Sequence, residues 1–392
     1  MNQFDRVRAA LAALDRDHLR RVRHDNDWPC APRVRVDGRV LVAFCSNDYL
    51  GLAGEPRLAE ALAAGARRWG AGAGASHIVS GHYAVQGELE RRLATFVGRE
   101  RALLFSTGFM ANSGIVPALV GRGDAIFADK LNHASLIDGM LLARASAHRY
   151  PHLDMAALAR QLENSDATVK LIVSDAVFSM DGDVAPLAEL MALAERFDAW
   201  LLIDDAHGFG VLGPQGRGSL AEVGLPGAAK EGWRLIQVGT LSKAAGVAGA
   251  FVAGDADVVE WLMQKTRSYI FTTGSPPALA QALLTSVDLI EAGDERRAHL
   301  GALIARLSGG LAQKRWRLTP SRTPIQPLTI GDNAAALALA DALLQEGLWV
   351  PAIRPPTVPA GSARLRISLS ATHTLAEVDR LVDAINRLEE TL

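Results

Sequence analysis

The sequence predicts an α/β protein: a large domain with a mostly parallel sheet, followed by a smaller C-terminal α+β domain. Three observations carry that prediction. Between about residues 55 and 255, short and nearly continuous apolar runs alternate with helix-length segments. Strands buried on both faces by crossover helices read this way. Before that stretch, Val34 to Val40 alternates apolar and polar residues around Asp37-Gly38, a hairpin signal. After about residue 280, long helical segments are separated by short strands, as in an α+β arrangement.

Taken in order, residues 1–50 form an N-terminal segment of helix and hairpin. Phe4, Val7, Leu11 and Leu14 recur at helical spacing among charged residues, so residues 1–23 read as an amphipathic helix. An apolar core of the kind a secretory signal requires is lacking there. Residues 51–280 form the large domain, with strands expected at 102–105, 125–128, 171–173, 200–203, 235–238 and 250–253. Residues 281–392 form the smaller domain. There a helical stretch ends near Leu311, a strand covers 326–330, a helix covers 333–345, strands lie near Trp349 and at 365–369, and a last helix starts at Leu375.

Composition excludes several classes of function. The chain has 392 residues, enough for more than one core, with 41 basic and 43 acidic residues. Near-neutral charge gives no electrostatic case for nucleic acid or an anionic membrane. No charge-free apolar stretch approaches the roughly 20 residues that span a bilayer. Two cysteines, Cys30 and Cys45, suit neither a disulfide framework nor a thiolate metal site. A reducing, cytoplasmic setting is therefore expected.

In parallel sheets, ligands bind beyond the carboxyl ends of the strands. Four strand-end turns carry candidate chemistry. Asp204 closes the run 200–203, and His207 follows three residues later. A carboxylate there can keep a ring nitrogen protonated, or it can simply cap a turn. Lys243 follows the strand 235–238 through Gly239, Thr240, Leu241 and Ser242, with small residues on its other side. Partly removed from water, its amine would lose its proton more easily and attack an aldehyde. The hydroxyls of Thr240 and Ser242 suit a phosphate group. Ser106-Thr107-Gly108-Phe109 is a strand-to-helix turn, where Gly108 and the helix N-terminus suit a phosphate and Thr107 suits a plain cap. His133 follows the run 125–128 and could stack on a planar ligand or stand at a helix start. A lysine, a paired carboxylate and a phosphate-type turn together point to pyridoxal 5'-phosphate (PLP). Gly70 to Ala75 matches a dinucleotide fingerprint but follows a helical segment instead of a strand, so that match is rejected. Asp204 and Asp205 lack a nearby set of ligands to complete a metal site, and none is expected.

Six ordered motifs resemble the α-oxoamine synthases, a family of fold-type I (aspartate-aminotransferase-like) PLP enzymes, over nearly the whole chain. They are Ser46-Asn47-Asp48-Tyr49-Leu50-Gly51, Ser106-Thr107-Gly108-Phe109, Asn132-His133-Ala134-Ser135, Val177-Phe178-Ser179-Met180-Asp181-Gly182-Asp183, Asp204-Asp205-Ala206-His207 and Gly239-Thr240-Leu241-Ser242-Lys243. The resemblance implies that Lys243 forms the Schiff base, that Asp204 pairs with the pyridine nitrogen, and that His207 and Ser179 hold the phenolic side. It implies that Gly108, Phe109 and Thr240 bind phosphate. His133 would stack on the ring, counted among both the catalytic and the substrate-binding residues. Asn47 and Arg366 would hold an amino-acid carboxylate, and Arg20 and Thr357 would contact the acyl substrate, with Arg21 and Arg23 as neighbours that could exchange with Arg20.

Four branches of the family condense an amino acid with an acyl thioester. Ile325-Gln326-Pro327-Leu328 and the segment Ala352 to Pro359 look most like the branch of biotin biosynthesis, which joins L-alanine to a pimeloyl thioester carried by CoA or acyl carrier protein. Sister branches use glycine with acetyl-CoA or succinyl-CoA. The resemblance also implies a homodimer with shared active sites. A catalytically silent subunit on the same fold would lack the lysine that stands at 243.

Overall fold

The computed structural model describes residues 2–225 and 234–392. They divide into two compact units. The larger comprises residues 50–179 and 183–297, and the smaller comprises 1–49, 180–182 and 298–392. Among the described residues, no helix is long and apolar enough to cross a membrane.

The larger unit is built on a seven-stranded sheet. From edge to edge it runs Arg101–Phe105, Ala250–Gly254, Leu235–Thr240, Trp200–Asp204, Lys170–Asp175, Ala125–Asp129 and Ser146–Tyr150. Ala250–Gly254 pairs antiparallel with both of its neighbours, and the remaining pairings are parallel. All six expected apolar runs are strands. The seventh, Ser146–Tyr150, went unread because it is a polar edge strand with only Tyr150 buried. Alternation along each strand feeds two cores. Ile126 and Ala128 face one with Leu171, Val173 and Leu202, under the helices Gly108–Leu119 and Ala134–Ala143. Ala125 and Phe127 face the other with Ile172, Leu201 and Ile203, under Met155–Glu163 and Leu187–Arg196. Helices on both faces leave the carboxyl ends of the parallel strands as the place where polar residues collect.

The smaller unit holds two sheets. The hairpin Arg33–Val36 with Arg39–Ala43 is present, and Leu348–Trp349 joins it in parallel. Asp37 and Gly38 have φ of 49° and 77°, the left-handed pair that a type I′ turn requires. The second sheet has the order Arg317–Leu318, Ile325–Gly331, Ala363–Ser368 and Ala352–Ile353, antiparallel throughout. The helices Asn333–Gln345 and Leu375–Thr391 lie where the sequence places them. The expected long helical stretch is two helices, Pro277–Glu291, which belongs to the larger unit, and Asp294–Gly310, most of which belongs to the smaller. The N-terminal helix is Gln3–Arg16 and buries none of its residues, and Met1 lies outside the described residues.

One ionic bridge fastens the strand ends of the larger unit. His152 Nδ1 lies 3.0 Å from Asp129 Oδ1, and its Nε2 lies 2.6 Å from Asp183 Oδ2. Asp129 ends the strand next to the edge strand Ser146–Tyr150 and also accepts from Leu131 N and Leu153 N. Asp183 closes the loop that carries Ser179, where Phe178 N donates to Asp183 O at 3.0 Å. The His152 ring stands edge-on to Phe178 at 4.4 Å. Partial burial disfavours the imidazolium, but the hydrogen bonds and charges of Asp129 and Asp183 outweigh it and push the pKa up to about 10. The bridge therefore stabilises the fold fully below the unfolded histidine value of about 6.5, and its contribution is lost as pH rises towards 10. Accordingly, His152→Gln should be less stable than wild type at pH 7, and the gap should narrow by pH 9.5. Denaturant unfolding of both proteins at the two pH values measures this, and a gap independent of pH would refute it.

Candidate active site

Strand ends bring Phe105, Asp129, Asp175, Asp204 and Thr240 to one edge of the sheet. The turn after Phe105 is short because Thr107 caps the next helix, its Oγ1 accepting from Met110 N at 3.1 Å. The first N–H groups of an α-helix have no partner within it, and here they belong to Gly108 and Phe109. A side chain at 108 would put its Cβ 2.9 Å from Thr240 Oγ1. Glycine there leaves the helix N-terminus and the Thr240 hydroxyl side by side, a cradle for a phosphate.

One turn into that helix lies a residue to which the sequence reading assigned no role. Asn112 is 1 % exposed. Its Nδ2 donates to Asp204 Oδ2 at 2.6 Å and to Ser135 Oγ at 2.9 Å. Asp204 Oδ1 accepts from Ala206 N at 3.0 Å, so both of its oxygens are held. The available signal was an amide inside an otherwise apolar helix, four residues after Gly108 and hence on the same face.

Ser135 continues the chain of bonds. Its N–H donates to His133 Nδ1 at 3.3 Å, and its Oγ lies 2.7 Å from the same nitrogen. With Nδ1 accepting from both groups, the neutral ring carries its proton on Nε2. Burial of part of the ring and the charge of Lys243 outweigh nearby carboxylates and lower the His133 pKa. The His133 backbone N–H donates to Asp175 Oδ2 at 2.6 Å, while Asn132 bonds Asp175 N and Val173 O. Burial first, and the Asp204 charge next, raise the Asp175 carboxyl well above its usual range.

His207 is 6 % exposed, and its Nε2 lies 3.1 Å from Lys243 Nζ. The lysine stands in a tight turn closed by Gly246 N to Lys243 O and by Val247 N to Leu241 O, both within the chain stretch that follows Thr240. Ser242 is exposed, whereas Thr240 is buried. Ser179 is half-buried in the loop between the bridge pair Val177 and Val184. In the larger unit, then, Asp204 and His133 share one hydrogen-bonded chain, His207 and Lys243 form a pair, and Gly108 adjoins Thr240.

The remaining predicted residues lie in the smaller unit. Arg366 is 6 % exposed; Nη1 donates to Asn47 Oδ1 at 3.2 Å and Ser368 Oγ at 2.7 Å, and Nη2 to the Tyr49 hydroxyl at 3.4 Å. Tyr49 and Ser368 were not anticipated as partners. Burial raises the Tyr49 pKa, so its hydroxyl stays protonated and donates to Asn47 Oδ1 at 3.2 Å. Arg20 pairs with Asp15 at 2.7 Å and, with Arg354, lines a cavity of about 400 Å³ floored by Leu14 and Trp349. Arg354 Nη1 donates to His18 O, and Thr357 is exposed with its N–H bonded to Arg354 O.

A buried, doubly held carboxylate, a lysine beside a histidine and a phosphate cradle at a helix N-terminus are the donor set that PLP requires, so the residues fit that group. The relatives agree. The model of the class I and II aminotransferase family matches residues 39–385. An 8-amino-7-oxononanoate synthase from Azoarcus sp. (strain BH72) is 70 % identical over 98 % of both chains. A second, from Aromatoleum aromaticum, is 69 % identical over 98 % of this chain and 99 % of that one. Among solved structures, a serine palmitoyltransferase from S. paucimobilis with a bound PLP–myriocin aldimine superposes with a TM-score of 0.92 at 31 % identity, covering 99 % of this chain and 98 % of that one. The 8-amino-7-oxononanoate synthase of Francisella tularensis superposes with a TM-score of 0.77 at 30 % identity over 90 % of this chain and 98 % of that one. The chain belongs to the class I and II aminotransferase family and, within it, to the 8-amino-7-oxononanoate synthases, which are PLP-dependent acyltransferases.

Proposed function

We propose that this enzyme joins L-alanine to a pimeloyl thioester with loss of carbon dioxide, yielding 8-amino-7-oxononanoate for biotin synthesis. The observation that carries the reading is the 3.1 Å pair of Lys243 Nζ and His207 Nε2, in a unit whose Asp204 is held by Asn112 and Ala206. The identity of 69–70 % to 8-amino-7-oxononanoate synthases supports the choice of substrates.

PLP, when bound, supplies an electron sink for the bonds broken at the amino-acid Cα. Lys243 holds the cofactor through Nζ. Freed for the reaction, Nζ would take the alanine Cα proton and later return one. His207, beside that nitrogen, orients it and with Ser179 holds the phenolic side of the ring. Asp204 would face the pyridine nitrogen, held in place by Asn112 and the Ala206 N–H, which donate to its two oxygens. His133 would cover the cofactor and border the substrate. The Gly108 and Phe109 N–H groups and the Thr240 hydroxyl hold the phosphate. Arg366 and Asn47 bind the alanine carboxylate, and Arg20 and Thr357 contact the pimeloyl chain. A bond forms between alanine Cα and the thioester carbonyl carbon as the C–S bond breaks and the thiol leaves. The carboxylate departs as carbon dioxide, and a proton takes its place on Cα. CoA or acyl carrier protein carries the acyl group, and two copies of the chain share their active sites.

Lys243→Ala should lose both the visible absorbance of lysine-bound PLP and turnover, by more than the roughly 10²- to 10⁴-fold of a single acid–base group, because two roles vanish together. A variant that keeps the band and turns over would remove Lys243 from the mechanism. Asp204→Asn should bind PLP yet slow exchange of the alanine Cα proton with deuterated solvent by about 10²-fold or more, followed by NMR. Wild-type exchange in that variant would exclude Asp204 as the partner of the ring nitrogen. Turnover assays should favour L-alanine with pimeloyl-CoA. Faster turnover of glycine with acetyl-CoA or succinyl-CoA would move the chain to a sister branch.

A further inference from the structure

Asp205 is a buried carboxylate that the reaction itself does not use. It is 0 % exposed, and Asp204 beside it takes the role assigned at the cofactor. Three donors converge on it. Ser219 Oγ donates to Oδ1 at 2.5 Å, while Ser219 N and Gln237 Nε2 donate to Oδ2 at 3.0 and 3.1 Å. The chain is also wrapped tightly around the carboxylate. A Cβ on Gly208 would lie 2.1 Å from Oδ1, and one on Gly218 would lie 2.1 Å from Oδ2. The Asp205 carbonyl accepts from Gly208 N and Phe209 N, and the loop closes through Gly210 N to Gly216 O and Gly218 N to Leu212 O. His207 sits between the carboxylate and the first of the two wrapping glycines. The backbone that carries its imidazole is therefore set by the turn packed against Asp205.

We infer that Asp205 is a positioning residue: by gathering Ser219, Gln237 and two glycine backbones around its side chain, it fixes the loop 205–219 so that His207 Nε2 meets Lys243 Nζ. This rests on the reading that Lys243 carries PLP. Burial pushes the Asp205 carboxyl up to about 7, with Ser219 and Gln237 pulling it down and the Asp204 charge pushing the same way as burial. Arg99, itself buried, faces it with the opposite charge. What the loop needs from this position is the set of hydrogen bonds to Ser219 and Gln237, so a side chain that keeps them should serve. Asparagine can do so: its carbonyl accepts from Ser219 N and Gln237, and its amide donates to Ser219 Oγ.

The test compares Asp205→Ala, Asp205→Asn and Ser219→Ala with wild type in the PLP-loaded enzyme. It reads kcat and the pH midpoint of the visible absorbance of lysine-bound PLP. Asp205→Ala should lower kcat by about 10²-fold, the size of effect that a 1 Å misplacement has. It should also move the midpoint by about one pH unit, as expected for losing a hydrogen bond to a charged group. Asp205→Asn should return the midpoint to the wild-type value. If Asp205→Ala does not fold, Ser219→Ala, which removes one donor, should move the midpoint in a folded protein. A folded Asp205→Ala or Ser219→Ala with wild-type kcat and midpoint overturns the inference. So does an Asp205→Asn as impaired as Asp205→Ala. A wild-type enzyme without the visible band would instead bring down the Lys243 reading, and this inference with it.

Discussion

The arrangement in the larger unit depends on the hydrogen bond from Asn112 to Asp204. A carboxylate buried to 5 % exposure is costly to hold ionised unless donors satisfy it. At 2.6 Å, the Asn112 amide meets one oxygen, and the Ala206 N–H meets the other at 3.0 Å. The same amide reaches Ser135, which in turn faces His133 Nδ1. One asparagine thus couples the charge that would face a pyridine nitrogen to the tautomer of the imidazole that would cover the ring. Both donor directions of the Asn112 amide nitrogen are used in this network, which favours one geometry over many.

Parallel strands make this possible and also create a difficulty. They end at the same edge, so Asp129, Asp175 and Asp204 arrive close together. Like charges in a poorly solvated place repel, and each carboxylate is handled differently. Asp204 is held by a donor on each oxygen. Asp175 is pushed towards its neutral form, while its Oδ2 accepts the His133 N–H. Asp129 is matched by the His152 cation, which also holds the loop that carries Ser179. Asp205 is held by a hydroxyl, an amide and the backbone wrapped around it.

In the smaller unit, a different principle operates. Arg366 is buried, and Asn47, Tyr49 and Ser368 hold it through neutral oxygens. Together these bonds fix the orientation of the guanidinium.

Much of this molecule was legible in the sequence. Alternation of apolar runs with helical segments determined the α/β class and six of the seven strands of the main sheet, because strands covered on both faces must be apolar. Strand-end position singled out Asp204, His207, Lys243, Gly108 and His133, because loops at that edge collect ligand-binding groups. The polar edge strand Ser146–Tyr150 was not legible, since only Tyr150 buries a face that a pattern could reveal. Nor were the partners. Asn112 lies 92 residues from Asp204, and Ser219 lies 14 from Asp205. Local spacing says which residues share a turn or a helix face. Which donor meets which buried carboxylate is decided by strand order and packing, and only the tertiary structure settles that.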